Sequence, residues 1–395
     1  MKLIAGLLLG AALQAAPSAL TPKEVADGWL LLFDGETTWG WTAEGGAKWR
    51  VENGSVIADT GEYGWLRSNA AFGDYELRVE FKSPSEGNSG VFLHSARTGL
   101  PHVTGYELNI LLGKEVKPER KWLNTEQAKA KNIVMTGDVW HRYDVVVRGG
   151  QMEVKLDGKK VISATGTRST FGHIGLQYNP GKAIAFRTVA VRPLGLQPIF
   201  NGKTLDGWQR VDRPEGKQGP VKEPPVWTAK NKLLHVEKGP GQLETTSVYQ
   251  NFILQLDIRA NSKDPARHPN SGIFLHGTPK GYWTGYEIQI RNEFKNSDPK
   301  QAVDTGTGGI YFLQPARLVV GRDNEFYTQT ILVQGRQIST WVNGYPVADL
   351  EDKNPEGARG PRQKEALLNA GPISLQAHDP TTNLDFRNIR ILSLK

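Results

Sequence analysis

Residues 270–276 read "NSGIFLH", and residues 88–94 read "NSGVFLH". A strand that only packs needs the apolar letters alone, so the polar letters at the two ends require another reason. Alternation along a strand puts Asn270, Gly272, Phe274 and His276 on one face. The same rule groups Glu287, Gln289 and Arg291 in 286–291, and Gln376 and His378 in 375–379. Ile273, Leu275, Ile288, Ile290, Leu375 and Ala377 then point the other way, into a core. One carboxylate, two imidazoles and several amides on one surface suit abstraction of a proton next to a carbonyl. A carboxylate or imidazole with a pKa near neutrality would be the base, and the resulting enolate would need positioned donors or a metal ion.

The elements that hold these residues occur twice. "LLFDGETTWGW" (31–41) matches "PIFNGKTLDGW" (198–208), "YELRVEF" (75–81) matches "FILQLDI" (252–258), and "TGYELNI" (104–110) matches "TGYEIQI" (284–290). "IGLQYNP" (174–180) and "FRTVAVRPL" (186–194) return as "ISLQAHDP" (373–380) and "FRNIRILSL" (386–394). The order is the same in both halves, which predicts a tandem duplication with modules at 26–194 and 197–395. Each block is a short alternating strand, and Asp157-Gly158 and Asn343-Gly344 are hairpin turn pairs. Asn201, Gly202 and Gly207 suit a structural turn, and helix is expected only near 123–131 and 362–369. Many short antiparallel strands per module predict an all-β, two-sheet jelly-roll sandwich.

The first 19 residues have one lysine, an apolar run and small residues near Ala15 to Ala19, the pattern of a secretory leader. No other stretch approaches the length of a membrane span. The chain is therefore expected to be exported, periplasmic or extracellular, and not membrane-spanning. It has no cysteine, which excludes disulfides, thiolate metal sites and cysteine nucleophiles. The net charge is +7, but lysine and arginine are interspersed with acidic residues and form no basic stripe. That pattern argues for a solvated basic surface and against nucleic acid as a partner. Oligomeric state is left open.

The blocks together resemble the bacterial 3-keto-disaccharide hydrolase domain family, also described as 3-keto-glucoside 1,2-lyase and 2-hydroxy-3-keto-glucal hydratase. The resemblance rests on the "F[DN]G" opening with its downstream "GW", "NSG[VI]FLH", "GYE[LI][NQ]I", "GGIYF", the Asn-Gly hairpin, "GPISLQAH" and "FRNIRI". It implies a concanavalin A-like lectin/glucanase jelly roll in each half and a glycoside substrate. The second copy keeps "TGTGGIYF" (305–312) and "LQAHD" (375–379). The first has "LQYNP" and "FRTVAV" at the matching places, which puts its catalytic competence in doubt.

In a sugar oxidised at C3 the C2 hydrogen is acidified, so a base can remove it and the C1 substituent can leave. The resemblance and this chemistry put Glu287 and His276 at the centre, with His378 and Gln289 completing the shell. Which is base and which is ligand stays open, and His276, Glu287 and His378 are also the candidate donors for a divalent metal ion. Asn270, Gln376 and Arg291 would bind or orient hydroxyls. Trp283 and Tyr311 either stack on a sugar ring or pack. The first-copy counterparts are Asn88, His94, Glu107, Asn109 and Gln177. An ordinary retaining glucanase needs two carboxylates roughly 5–5.5 Å apart, and the strand bearing Glu287 continues with Gln289 and Asn292. The competing expectation is a secreted carbohydrate-binding protein without chemistry, a role that suits the first copy well. The blander alternatives, which the shared face argues against, are that His276 is a hydrogen-bonded core histidine and Glu287 the structural partner of Arg291.

Overall fold

The computed structural model describes residues 19–112, 135–166, 168–214, 220–264, 266–353 and 370–394. The helices expected near 123–131 and 362–369, and residues 1–18 of the expected leader, lie outside them. Among the described residues the regular structure is almost entirely β-strand, and no helix is long and apolar enough to cross a membrane.

The second half stacks two antiparallel sheets. The five-stranded sheet runs in the order Trp208–Asp212, Gly241–Thr245, Ser374–Ala377, Ser271–Leu275, Tyr286–Ile290. The eight-stranded sheet places Leu233–Glu237, Asn383–Ser393, Phe252–Ala260, Tyr327–Gln334, Gln337–Val342 and Tyr345–Glu351 side by side. Leu243, Ile273, Ile288 and Leu375 from the first sheet meet Leu254, Leu256, Ile331 and Phe386 from the second in one core. This is the jelly-roll sandwich that the alternating blocks predict, and the first half repeats its strand order. There Trp41–Glu52 and Ser55–Phe72 run unbroken through both layers, which therefore join into one curled sheet of eleven strands. In the second half the same path is interrupted at Lys238-Gly239-Pro240.

The hairpin pairs behave as expected. Asp157 and Gly158 have φ of 49° and 80°, Asn343 and Gly344 49° and 73°, the left-handed pair that a two-residue turn between twisted strands requires. Asn201 closes its turn by accepting from the Lys203 and Thr204 N–H groups, as Asp34 does from Glu36 and Thr37.

The modules pack through the outer face of the eight-stranded sheet. Phe252 and Leu254 point into the second core, whereas Ile253, Leu332 and Trp341 are buried in the first. Trp341 Nε1 donates to the Leu31 carbonyl at 2.9 Å, and Asn69 Nδ2 to Asp349 Oδ2 at 2.6 Å. Arg317 crosses the junction to the buried Asp34 carboxylate. Burial alone would raise the Asp34 pKa, but the Glu36 and Thr37 N–H groups and the Arg317 guanidinium hold it below the usual range.

Candidate functional site

Because Leu243, Leu375, Ile273 and Ile288 fill the core, their alternating neighbours stand on the opposite face of the five-stranded sheet. These are Gln242 and Glu244, Ser374 and Gln376, Gly272 and Phe274, and Glu287 and Gln289, column by column. Phe274 is paired with Glu287 and Gly272 with Gln289. A Cβ on Gly272 would lie 2.6 Å from Glu287 Oε1 and 2.7 Å from its Cγ, so the glycine in "NSGIFLH" makes the room that the carboxylate occupies. The backbone of 307–311 adds an outer rung beside this strand, with Tyr311 N donating to the Glu287 carbonyl and Gln289 N to Gly309.

At the end of the face a continuous polar network forms. Gln289 Nε2 donates to Asn270 Oδ1 at 2.9 Å and reaches Asp304 Oδ2 at 3.3 Å. Asn270 Nδ2 lies 3.4 Å from both Asp304 Oδ2 and His378 Nε2. Arg291 bridges Asp304 and Glu293. His378 Nδ1 is 2.9 Å from Asp379 Oδ2, and this hydrogen bond is the leading cause that lowers the Asp379 pKa to about 2. The His378 ring stacks on Trp283 at 5.6 Å and 9°, and Trp283 on Tyr282 at 4.7 Å and 16°.

The loop 277–285 carries that aromatic stack over the face. Trp283 N donates to Gln242 Oε1 at 2.8 Å and Lys280 N to Glu244 Oε1 at 2.9 Å. Glu244, fully buried, also accepts from Gln209 at 2.7 Å, so its Oε1 is taken up in anchoring the loop. Lys280 and Trp283 both have left-handed φ, 62° and 53°, an uncommon conformation for side chains of this size. Gln376 is fully buried on the same face, and its amide N and O find no hydrogen-bond partner among the described residues. Such a group is costly unless something else satisfies it. A cleft of about 410 Å³ opens beside this network, lined by Pro269 and Pro380, the chain neighbours of Asn270 and Asp379, and by Arg267 and His268.

The structure thus brings Asn270, Gln289, Arg291, His378 and Trp283 into one connected set, with Glu287 and Gln376 on the same face. Tyr311 touches it through its backbone, and its ring lies against Phe312 at 4.3 Å. His276 is the correction. Its φ of 55° breaks the alternation and turns the ring to the core side, between Phe252 and Tyr286, where Nε2 meets the Gln250 carbonyl at 2.6 Å. His94 repeats this, with φ of 53° and Nε2 at 2.7 Å from the Gly73 carbonyl. The proposed metal donors His276, Glu287 and His378 therefore do not converge. Among the described residues no group of three or more histidine or carboxylate side chains is arranged to hold a metal ion. The alternative in which Glu287 is the structural partner of Arg291 does not hold, because Arg291 turns to Glu293 and Asp304.

Two residues escaped the sequence reading. Asp304 brings a second carboxylate to the edge of the face from the segment preceding "TGTGG", outside the strand where one was sought. Asp379 buttresses His378, and the adjacency "HD" was the available signal.

In the first module the register is the same, Phe92 opposite Glu107 and Gly90 opposite Asn109. Gln177 Nε2 donates to Glu107 Oε1 at 2.9 Å, and Asn179 Nδ2 to Gln177 Oε1 at 2.8 Å. Asn88 is exposed at the start of its strand, and Asn109 shares the face of Glu107.

The model of the 3-keto-alpha-glucoside-1,2-lyase-like domain matches residues 28–192 and again 195–392. A 3-keto-disaccharide hydrolase from Bacteroides thetaiotaomicron is 35% identical over 79 residues, 17% of this chain and 27% of that protein, so the match spans about a quarter of the relative. A provisionally assigned glycosyl hydrolase structure from Parabacteroides distasonis aligns at 22% identity and TM-score 0.40 over 45% of this chain and 100% of its own. The carbohydrate-binding module CBM66 from Bacillus subtilis aligns at 16% identity and TM-score 0.32 over 39% and 95%. With matched segments over residues 28–192 and 195–392, well over half of the chain, and the same strand order in each half, the chain belongs to the 3-keto-alpha-glucoside-1,2-lyase-like domain family.

Proposed function

We propose that the second module of this exported protein, periplasmic or extracellular, cleaves 3-keto-glycosides by elimination. Glu287 takes the C2 proton, and the C2–H electrons pass into an enolate across C2 and C3. Collapse of the enolate forms the C1–C2 double bond and breaks the bond from C1 to the leaving oxygen. His378, held by the ionised Asp379, supplies the proton that the leaving oxygen takes up. The Asn270, Gln289 and Gln376 amides and the Arg291 guanidinium provide donors for the sugar oxygens, including the one that becomes charged. Water can then add across the new double bond, giving net hydrolysis.

The observation that carries this assignment is the Asp379–His378 pair, an oriented imidazole joined through Asn270 to the amides beside Glu287 on one face. An oriented acid or base contributes typically 10²–10⁴-fold. The Glu287 strand carries no second carboxylate, and elimination from an oxidised sugar requires none there.

The test incubates the purified full chain with a 3-keto-disaccharide and, separately, with its unoxidised parent, following enone absorbance and released sugar. Turnover of the oxidised sugar alone, reduced about 10²–10⁴-fold by Glu287→Gln, is expected. Equal turnover of the parent, or an unchanged Glu287→Gln variant, would overturn the assignment. A chelator arm reads whether a metal ion takes part.

A further inference from the structure

The first module preserves part of the second module's face and alters the rest in one direction. Gly90, Glu107 and Gln177 hold the positions of Gly272, Glu287 and Gln376, in the same strand register. A Cβ on Gly90 would lie 2.8 Å from Glu107 Oε1 and 3.3 Å from Gln177 Oε1, so the same glycine-lined space is kept for the same two side chains. The proton-transfer apparatus is not kept. Asn179 stands where His378 stands, and its amide extends the chain Asn179 to Gln177 to Glu107 at 2.8 and 2.9 Å. Trp65 replaces Gln242 and is buried edge-on against Phe92 at 5.5 Å. Arg67 stands in the place of Glu244 and pairs with Glu44, so the carboxylate that holds the loop in the second module has no counterpart there.

Glu107, Asn109 and Asn179 remain partly exposed, and Tyr63 lies near Gln177 and Glu107. The carboxyl accepts from the Gln177 amide, which accepts from Asn179, so this chain offers donors and acceptors to hydroxyl groups, and no imidazole stands where His378 stands in the second module. His102 lies close enough for its charge to act on Glu107, but it comes from the Pro101–Thr104 turn and not from the Asn179 position.

We infer that the first module is a second saccharide site, which binds a neutral, unoxidised sugar through Glu107, Gln177 and Asn179 and holds it without cleaving it. This inference rests on the assignment of the second module's face to saccharides. None of the first-module groups needs a C3 carbonyl, so unoxidised glycosides are suitable ligands.

The experiment titrates maltose into the full chain by calorimetry, in wild type and in Glu107→Ala, Glu107→Gln and Gln177→Ala variants. Saturable binding weakened at least about tenfold in Glu107→Ala and Gln177→Ala is expected, about 1.4 kcal/mol. Burial pushes the Glu107 carboxyl above its ordinary value, so the neutral Glu107→Gln variant is expected to fold and gives a reading if the alanine variant does not. Absence of maltose binding, or binding unchanged in these variants, would overturn the inference. Residual turnover of a 3-keto-disaccharide in Glu287→Gln, abolished by adding Glu107→Gln, would also overturn it, since the first module would then be an enzyme. Maltose binding that depends on Glu107 in a protein without turnover would count against the elimination mechanism alone.

Discussion

His378 is fixed on three sides, by the Asp379 carboxylate, the Trp283 ring and the Asn270 amide. With a pKa of about 2, Asp379 stays charged throughout the range in which the site would work. Its depressed pKa adds stability that is present above its ordinary value of 3.8 and is lost as pH falls toward 2. Asp379→Asn keeps an acceptor but removes the charge. It should lower kcat about 10–100-fold with little change in KM, and Asp379→Glu should restore part of the loss. Equal changes in kcat and KM would assign Asp379 to ground-state binding instead. The same scale shows where sequence stops being sufficient. The period-2 pattern places Asn270, Glu287, Gln289, Gln376 and His378 on one face, and the structure agrees. It fails at His276, because one left-handed residue at the strand end reverses the face. Histidine is among the residue types that tolerate this conformation, but the pattern does not record φ.

Gly272 links the residue to its strand. Nothing in its backbone demands glycine through a left-handed φ, so its role is the space it leaves for Glu287. Gly272→Ala should displace the carboxylate, lowering kcat/KM about 10²-fold, while overpacking costs about 1–3 kcal/mol of stability. Kinetics and thermal unfolding of the same preparation separate the two effects, and normal turnover at lowered stability would contradict the role given to this space. At the element level the strands, hairpins and duplication were legible because they depend on local alternation and turn residues. The loop over the face was not, because Trp283 and Lys280 are held by Gln242 and Glu244, about 40 positions earlier in the chain, through contacts that only the fold creates. Asp304 was missed for the same reason.

Beside the junction between modules one histidine sits in an unfavourable setting. His173 is buried in the first module beside a cleft shared with Gln334, Arg336 and Glu351 of the second. Burial, then the Arg67 and Arg97 charges, depress its pKa from 6.5 to about 4, while its Nδ1 is 2.7 Å from the Ser68 carbonyl oxygen. The unfolded chain takes up a proton near 6.5 that the folded chain refuses until about 4, so stability falls across that interval, by roughly 3 kcal/mol at most. His173→Gln should flatten the decline of melting temperature between pH 6.5 and pH 4, and an unchanged slope would contradict this. Nothing in the repeat pattern foretold the junction, since Ile253, Leu332 and Trp341 read as ordinary strand residues until both faces are seen to be buried. The most direct measurement of the central claim is turnover of a 3-keto-disaccharide in heavy water, with the product analysed by NMR at C2. Elimination predicts that the original C2 proton is lost, leaving either an enone or, after hydration, deuterium at C2, beyond what a 3-keto-glucose control exchanges alone. Released sugar that keeps its C2 proton would show direct hydrolysis at C1 and contradict the role assigned to Glu287.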